Sequence, residues 1–458
     1  MTRRELAVFK INLRAIPFIP KKSIPWIIWS IPGLFYFYDV VLRIFPSTIQ
    51  QQMMHSYQID ATQFGFYTAC YYITYTVMQI PAGIIVDRIS IYKTLFIACS
   101  CCLFGLLLTH YCTNIQSAYI GRMIIGFGSA FAYVTTLKVA SVWLGANHFG
   151  IAATIADSLG MLGGIFTDQI LTRVNASEGY QSSEWWLFFT GILIIMLILF
   201  VLRDRPRTRR KMTPTKQDPT CNNIYDKTSF IQRLFNILKS KQIWLIGIVG
   251  CLYYLPSSVV GDVWGIPFLK AVYGFSEASA ANAISFFFAG WVIFGPIVGW
   301  ASDHYRLRIK PISLSILLIF FMFVLLIYGP NVGIHMGVYT VYSVFFLIGI
   351  LTSAHPLIFA IAKENFPLKS AGTVIATTNT MVMLGGMLFQ PLLGRLLDIA
   401  NHTVNSTGAQ TYTAHDFTFA MSILPISLII AWVIMFFIKD TGKEIDKHEQ
   451  ERTVDLAD

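Results

Sequence analysis

Gly83-Ile-Ile-Val-Asp87-Arg88 closes an apolar run long enough to cross a bilayer, and Gly299-Trp-Ala-Ser-Asp303-His304, 216 residues later, closes another in the same way. Cations follow both, Lys93 after the first and Arg306, Arg308 and Lys310 after the second. A glycine four residues before an aspartate on a helix shares its face, so a neighbouring helix can come close where the carboxylate emerges at the membrane surface. The repetition at corresponding places points to two membrane-embedded halves.

The composition agrees. Of 458 residues, 55% are hydrophobic and only 13% charged, whereas soluble domains carry about a quarter charged residues. The net charge of +10 does not indicate nucleic acid, because the cations cluster between apolar runs and not on one basic face. The seven cysteines have no metal-ligand spacing and lie mostly within apolar runs, so they read as packing. No paired catalytic carboxylates, nucleophile elbow or metal-ligand set stands out, so neither an enzyme nor a cofactor or metal is expected. The basic, proline-punctuated segment Met1 to Lys22 does not read as a cleaved signal.

Runs of about twenty apolar residues predict spans near 24–49, 61–86, 94–112, 117–143, 149–170 and 185–203, then near 243–268, 279–302, 311–330, 336–362, 370–396 and 416–438. Between the two sets, Arg205, Arg207, Arg209, Arg210, Lys211 and Lys216 precede a polar tract with Pro214 and Pro219, which reads as a solvated linker. A short amphipathic helix is expected around Phe230 to Leu238. The expected division is an N-terminal segment 1–23, a six-helix bundle 24–203, a linker 204–242, a second bundle 243–438 and a tail 439–458. Arg3, Arg4, Lys10, Arg14, Lys21 and Lys22 precede span one, and the even-numbered loops carry most other flanking cations. By the positive-inside rule both termini of this multi-pass protein are cytoplasmic.

A second repeat supports the first. Gly150 and Asp157-Ser-Leu-Gly-Met161-Leu162-Gly163-Gly164 in span five match Gly372 and Asn379-Thr-Met-Val-Met383-Leu384-Gly385-Gly386 in span eleven at a constant offset of 222. The expected fold is therefore an all-α membrane protein with twelve transmembrane helices in two pseudo-symmetric six-helix bundles, and substrate belongs near the midplane between them.

An ionised side chain in hydrocarbon costs several kcal/mol, so each within a span must face a cavity or a partner. Asp39 and Arg43 share a face of span one and can neutralise each other, with Arg122 of span four at comparable depth. This trio is either a structural ion cluster or a site in which Arg43 or Arg122 anchors a substrate carboxylate and Asp39 titrates. Lys138 and Asp157 lie at similar depth and form either a gate or a snorkelling lysine and a backbone-bonded carboxylate. Asp157 is a second candidate for proton coupling, since its repeat mate Asn379 cannot titrate. Tyr36, Tyr75, Trp264, Asn379 and Gln390 are candidate substrate contacts, with Tyr38, Tyr71, Tyr72, Gln79, Tyr133, Tyr253, Tyr254, Asn282 and His355 further cavity candidates. Pro256 and Gly261 mark span seven as a bent gating helix, as Pro32 and Gly33 do span one. Asp262 falls near the outer mouth, where a solvated helix end explains it.

The paired loop motifs, and Arg122-Met-Ile-Ile-Gly126-Phe-Gly128, resemble signatures of the major facilitator superfamily of secondary transporters, and the resemblance covers about residues 24–438. It implies that Asp87, Arg88 and Lys93, spaced by Gly83, latch the cytoplasmic side, with Gly299 and Asp303 as the second copy. It also associates Arg122 with proton transfer. Ser90 stands where the family has glycine, His304 where the second copy could carry arginine, and span five lacks the Gly-Pro pair of antiporters, which favours uptake or exchange. Phe35-Tyr-Phe-Tyr-Asp39-Val-Val-Leu-Arg43-Ile-Phe-Pro46-Ser47, Asp262-Val-Trp264-Gly-Ile-Pro267-Phe-Leu-Lys270 and Gln390-Pro-Leu-Leu-Gly394 resemble the phagosomal-transporter group of intracellular gamma-proteobacteria. That narrower resemblance implies import of amino acids or nucleosides. The expected function is proton-coupled uptake of a small polar metabolite, an amino acid first, by a monomer in the bilayer. The alternatives are a nucleoside importer, an exporter of a siderophore or other organic anion, and a non-transporting membrane sensor or embedded enzyme.

Overall fold

The structure is a computed structural model that describes residues 20, 23–111, 113–144, 146–202, 230–305, 307–366, 371–401 and 412–439. Each expected span falls in a helix. In chain order these are α1 (Ile24–Ile44), α2 (Ala61–Arg88), α3 (Ile91–Tyr111), α4 (Ile115–Leu144), α5 (Ala146–Phe166, continuing through Thr167–Leu171 and Thr172–Glu178) and α6 (Tyr180–Phe200). They are followed by α7 (Lys241–Tyr273), α8 (Glu277–Tyr305), α9 (Ile309–Tyr328), α10 (Val338–Glu364), α11 (Ala371–Ala400) and α12 (Ala414–Met435). Eleven of the twelve are long and apolar enough by composition to cross a membrane. The remaining one, α5, carries Asp157 and Asp168 within its helical run. The short helix Phe230–Leu238 forms where expected, while most of the linker, the N-terminal segment and the tail lie outside the described residues.

Local chemistry sets the helix ends. Asp60 and Gln63 form a capping box at the start of α2, with Gln63 N–H donating to Asp60 Oδ1 at 2.7 Å and Asp60 N–H to Gln63 Oε1 at 3.2 Å. Thr413 and Asp416 repeat the device at the start of α12. Pro256 removes a donor from α7, and Pro256–Trp264 winds as a π-helix before α-helix resumes at Gly265. A shorter π turn, Thr167–Leu171, interrupts α5.

Alternating helix direction sorts the ends into two faces. The first face holds the start of α1, Arg88 of α2 and Lys241 of α7; the second holds the Phe45–Asp60 connection and the ends of α7 and α11. Large apolar side chains such as Phe104, Trp186, Phe189, Phe321 and Phe436 remain exposed on the helix exteriors, the surface that hydrocarbon would cover.

The two sets of six helices meet along α2 and α11, α5 and α8, and α1 and α7. The first pair approaches so closely that a Cβ added at Gly65 would overlap the backbone of Gln390 and Pro391, and one at Gly394 the backbone of Ala61.

Candidate functional site

The buried ionisable groups lie on this seam, and they pair differently from their spacing. Arg43, at the end of α1, places Nε 3.2 Å from Asp262 Oδ2 in α7. It does not neutralise Asp39, which makes no ion pair among the described residues. Asp39 instead accepts a 2.7 Å hydrogen bond from the Tyr71 hydroxyl. Asp262 is not a solvated helix end: it is fully buried and accepts a hydrogen bond from the Tyr72 hydroxyl of α2 beside this ion pair. The π-helical run accounts for the difference, because a depth counted along an even α-helix fails where the winding changes. Positions 43 and 262 differ by 219, between the 216 and 222 offsets of the repeat motifs, so the pair joins near-equivalent places in the two sets.

Arg122 is close by with another task. Its guanidinium donates to the carbonyls of Leu42 at 2.7 Å and Arg43 at 3.1 Å and lies 5.3 Å from the ring centres of Tyr67 and Tyr71. These are last-turn carbonyls of α1, which lack helical partners and bear the negative end of the dipole. Arg122 thus caps α1 from α4.

Of the expected substrate contacts, Trp264 is fully buried against Phe64 at 5.8 Å between ring centres, and Gln390 donates from Nε2 to the carbonyl of Ser258 in α7. Asn379 donates to Gln79 Oε1 at 2.9 Å across the α2–α11 seam. Tyr75 stacks on Tyr71 with centroids 5.5 Å apart, and Tyr36 packs on Tyr133 at 5.0 Å. Tyr133 in turn hydrogen-bonds Asp157.

A cavity of about 310 Å³ lies between α5, α8 and α10, lined by residues including Thr154, Asp157, Ser158, Trp291, Gly299 and Ser353. Asp157 and Gly299 are the two predicted site residues on its wall among the described residues, and Asp157 is the one charged residue among them there. The other expected contacts sit in the seam beside it.

The loop motifs are less closely packed than their glycines suggest. A Cβ at Gly83 or Gly299 would meet nothing within 4 Å, so neither glycine is used for close approach here. Arg88 and Lys93 are exposed and Lys138 is half-buried; the side chains of Asp87 and Asp303 lie outside the described residues. In the second copy the loop cation Arg308 binds Glu364 at 3.0 Å and Ser302 at 2.8 Å.

Two carboxylates escaped the sequence reading. Asp398 near the end of α11 accepts from the Ala61 and Thr62 amides at 3.2 and 2.8 Å and from the Tyr412 hydroxyl at 2.5 Å, so a residue of one set caps a helix of the other. Asp168 in the π turn of α5 is 1% exposed. The rule that flagged Asp39 applied equally to Asp168, eleven residues and about three turns after Asp157.

Twelve helices in two repeated sets, with charges buried on the seam and a cavity between them, define a membrane transporter that works by opening to alternate sides. The chain belongs to the Major Facilitator Superfamily, which matches residues 33–390, and is a secondary transporter of that superfamily. The uncharacterized transporter YybO of Bacillus subtilis is 21% identical over 429 residues, covering 90% of this chain and 92% of YybO. The membrane sensor protein UhpC of Salmonella typhimurium is 21% identical over 287 residues, 60% of this chain and 63% of its own. Among solved structures, an inward-facing, unoccupied bacterial homologue of the human lysosomal transporter Spinster superposes with a TM-score of 0.73 at 13% identity, over 93% of this chain and 98% of that one. A D-xylose-proton symporter gives 0.68 at 16% identity, over 92% and 99%. At such identities the structural likeness concerns the fold.

Proposed function

We propose that this transporter takes up an amino acid in symport with protons, with its first face and both termini in the cytoplasm of a cell whose inner membrane it spans. The observation that carries the reading is the setting of Asp39: a buried carboxylate held by the neutral Tyr71 hydroxyl, while Arg43, its sequence neighbour in charge, is engaged by Asp262. Such a group can gain and lose a proton without breaking the ion pair beside it.

The cavity supports a zwitterionic substrate. Asp157 offers a carboxylate to an ammonium group, and Thr154, Ser158 and Ser353 offer hydroxyls to the other end. An organic anion would face Asp157 with no cation on the described wall to balance it. Tyr36 and Tyr75 approach from α1 and α2; Arg43, Arg122, Trp264, Asn379 and Gln390 act through the seam that must part when the second face opens. The inward-facing Spinster homologue agrees with a conformation closed at the second face, in which Gly83, Asp87, Arg88, Lys138, Gly299 and Asp303 form an unlatched cytoplasmic gate.

Counterflow of labelled amino acids, nucleosides and polycarboxylates in proteoliposomes tests the substrate class. Exchange of an amino acid is expected; exchange of nucleosides or polycarboxylates alone overturns it, and no exchange with any panel member supports a sensor. Asp39→Asn should keep exchange of pre-loaded substrate but lose accumulation driven by a pH gradient. Unchanged accumulation would dismiss Asp39 as the proton carrier.

A further inference from the structure

Around the junction of α1, α5 and α7, a group of buried side-chain oxygens lacks hydrogen-bond partners among the described residues. Neither carboxylate oxygen of Asp168 has a hydrogen-bond partner among the described residues, nor do Asp262 Oδ1, the Thr172 hydroxyl or the Ser47 hydroxyl. All four residues are at most 5% exposed. A buried carboxylate without donors or a counter-charge is among the costliest arrangements in a protein.

These atoms belong to elements that pack on one another. The π turn Thr167–Leu171 rests on the turn Phe45–Thr48, which also meets the π run Pro256–Trp264. Thr172 is one turn beyond Asp168 on the same face of α5. The charged neighbour acting on Asp168 is Asp262. Both carboxylates therefore sit where α-helical winding is interrupted, the places where helices most often build ion sites.

Charge identifies the missing partner. Asp168 and Asp262 are buried beside Arg43, two negative groups against one positive, while Arg122 is taken up by the carbonyls that end α1, so one positive charge restores local neutrality. A divalent ion would overshoot. No group of three or more His, Cys, Asp or Glu occurs among the described residues, and the unpartnered atoms are carboxylate and hydroxyl oxygens, ligands for a hard ion. A single proton would bridge two of these oxygens and leave the rest unsatisfied.

We propose that Asp168, Thr172 and Ser47, with the second oxygen of Asp262, hold a sodium ion between the two sets of helices. Because Asp262 also holds Arg43, ion and seam are coupled: loss of sodium strands the Asp168 carboxylate and favours separation of the seam at the second face. The site goes beyond the proton and substrate assignments and does not require either.

Binding of radioactive sodium to the purified full-length protein, at one fixed pH in choline chloride, tests it. Saturable binding that unlabelled sodium displaces is expected, weakened roughly tenfold or more by Asp168→Asn and less by Thr172→Ala. Asp39→Asn should bind as the wild type does, which separates this site from the proton reading. Wild-type protein should also melt at a higher temperature in sodium than in choline, a measurement that needs no variant to fold. No saturable sodium binding by the wild type, no sodium-dependent rise in melting temperature, or unaltered binding in folded Asp168→Asn would overturn the proposal.

Discussion

Arg43 and Asp262 are tolerable in the interior only because each has the other. Asp262→Asn keeps the shape but leaves a guanidinium buried and uncompensated, at a cost of about 3 kcal/mol or more. A marked fall in melting temperature is expected, and Arg43→Gln in the same protein should recover part of it; a double-mutant cycle with no coupling would show the pair to be incidental. The sequence made these residues visible but not their pairing. The four-residue spacing of Asp39 and Arg43 satisfies the helical rule, yet the guanidinium crosses to the other set of helices, because α1 ends there and Asp262 arrives from α7. Asp39 is left to Tyr71, at a separation of 32 residues that spacing alone could not reveal.

Helices were the most legible elements, since bilayer thickness fixes their length and composition marks them. Their winding was less so. Pro256 announced a bend in α7, but a π-helical run depends on how freed carbonyls find new donors, a tertiary matter. The α2–α11 contact depends on glycines whose packing role a pattern search passes over: Gly65 carries no motif, Gly394 enters only as the last residue of Gln390-Pro-Leu-Leu-Gly394, and their importance is clear only when the two backbones meet. Gly394→Leu should hold these helices apart, since its side chain would occupy the space of the Ala61 carbonyl. The expected result is thiol labelling of an introduced Thr62→Cys from the second face, weak in the otherwise native sequence and strong beside Gly394→Leu.

For the whole molecule, the seam is closed from the Asp398 cap of α2 down to the Gln79–Asn379 hydrogen bond, while Gly83 and Gly299 near the first face meet nothing. In a background without native cysteines, Gln79→Cys with Asn379→Cys should cross-link, and Gly299→Cys should react with a soluble thiol reagent supplied at the first face. Absence of both would show that the resting conformation differs. Duplication made this two-part plan readable from two motifs, but which face is shut depends on the balance of contacts at either end, which neither copy of the motif encodes.

The nine residues Pro256–Trp264 are wound one residue wider per hydrogen bond than the helix on either side. If that stretch tightened to ordinary α-helix, Gly265–Tyr273 would have to rotate and shift along its axis, carrying Asp262 away from both Arg43 and Tyr72 in a single motion. A local change of pitch thereby releases two ties at once, letting a vestibule form at the second face without unfolding any turn.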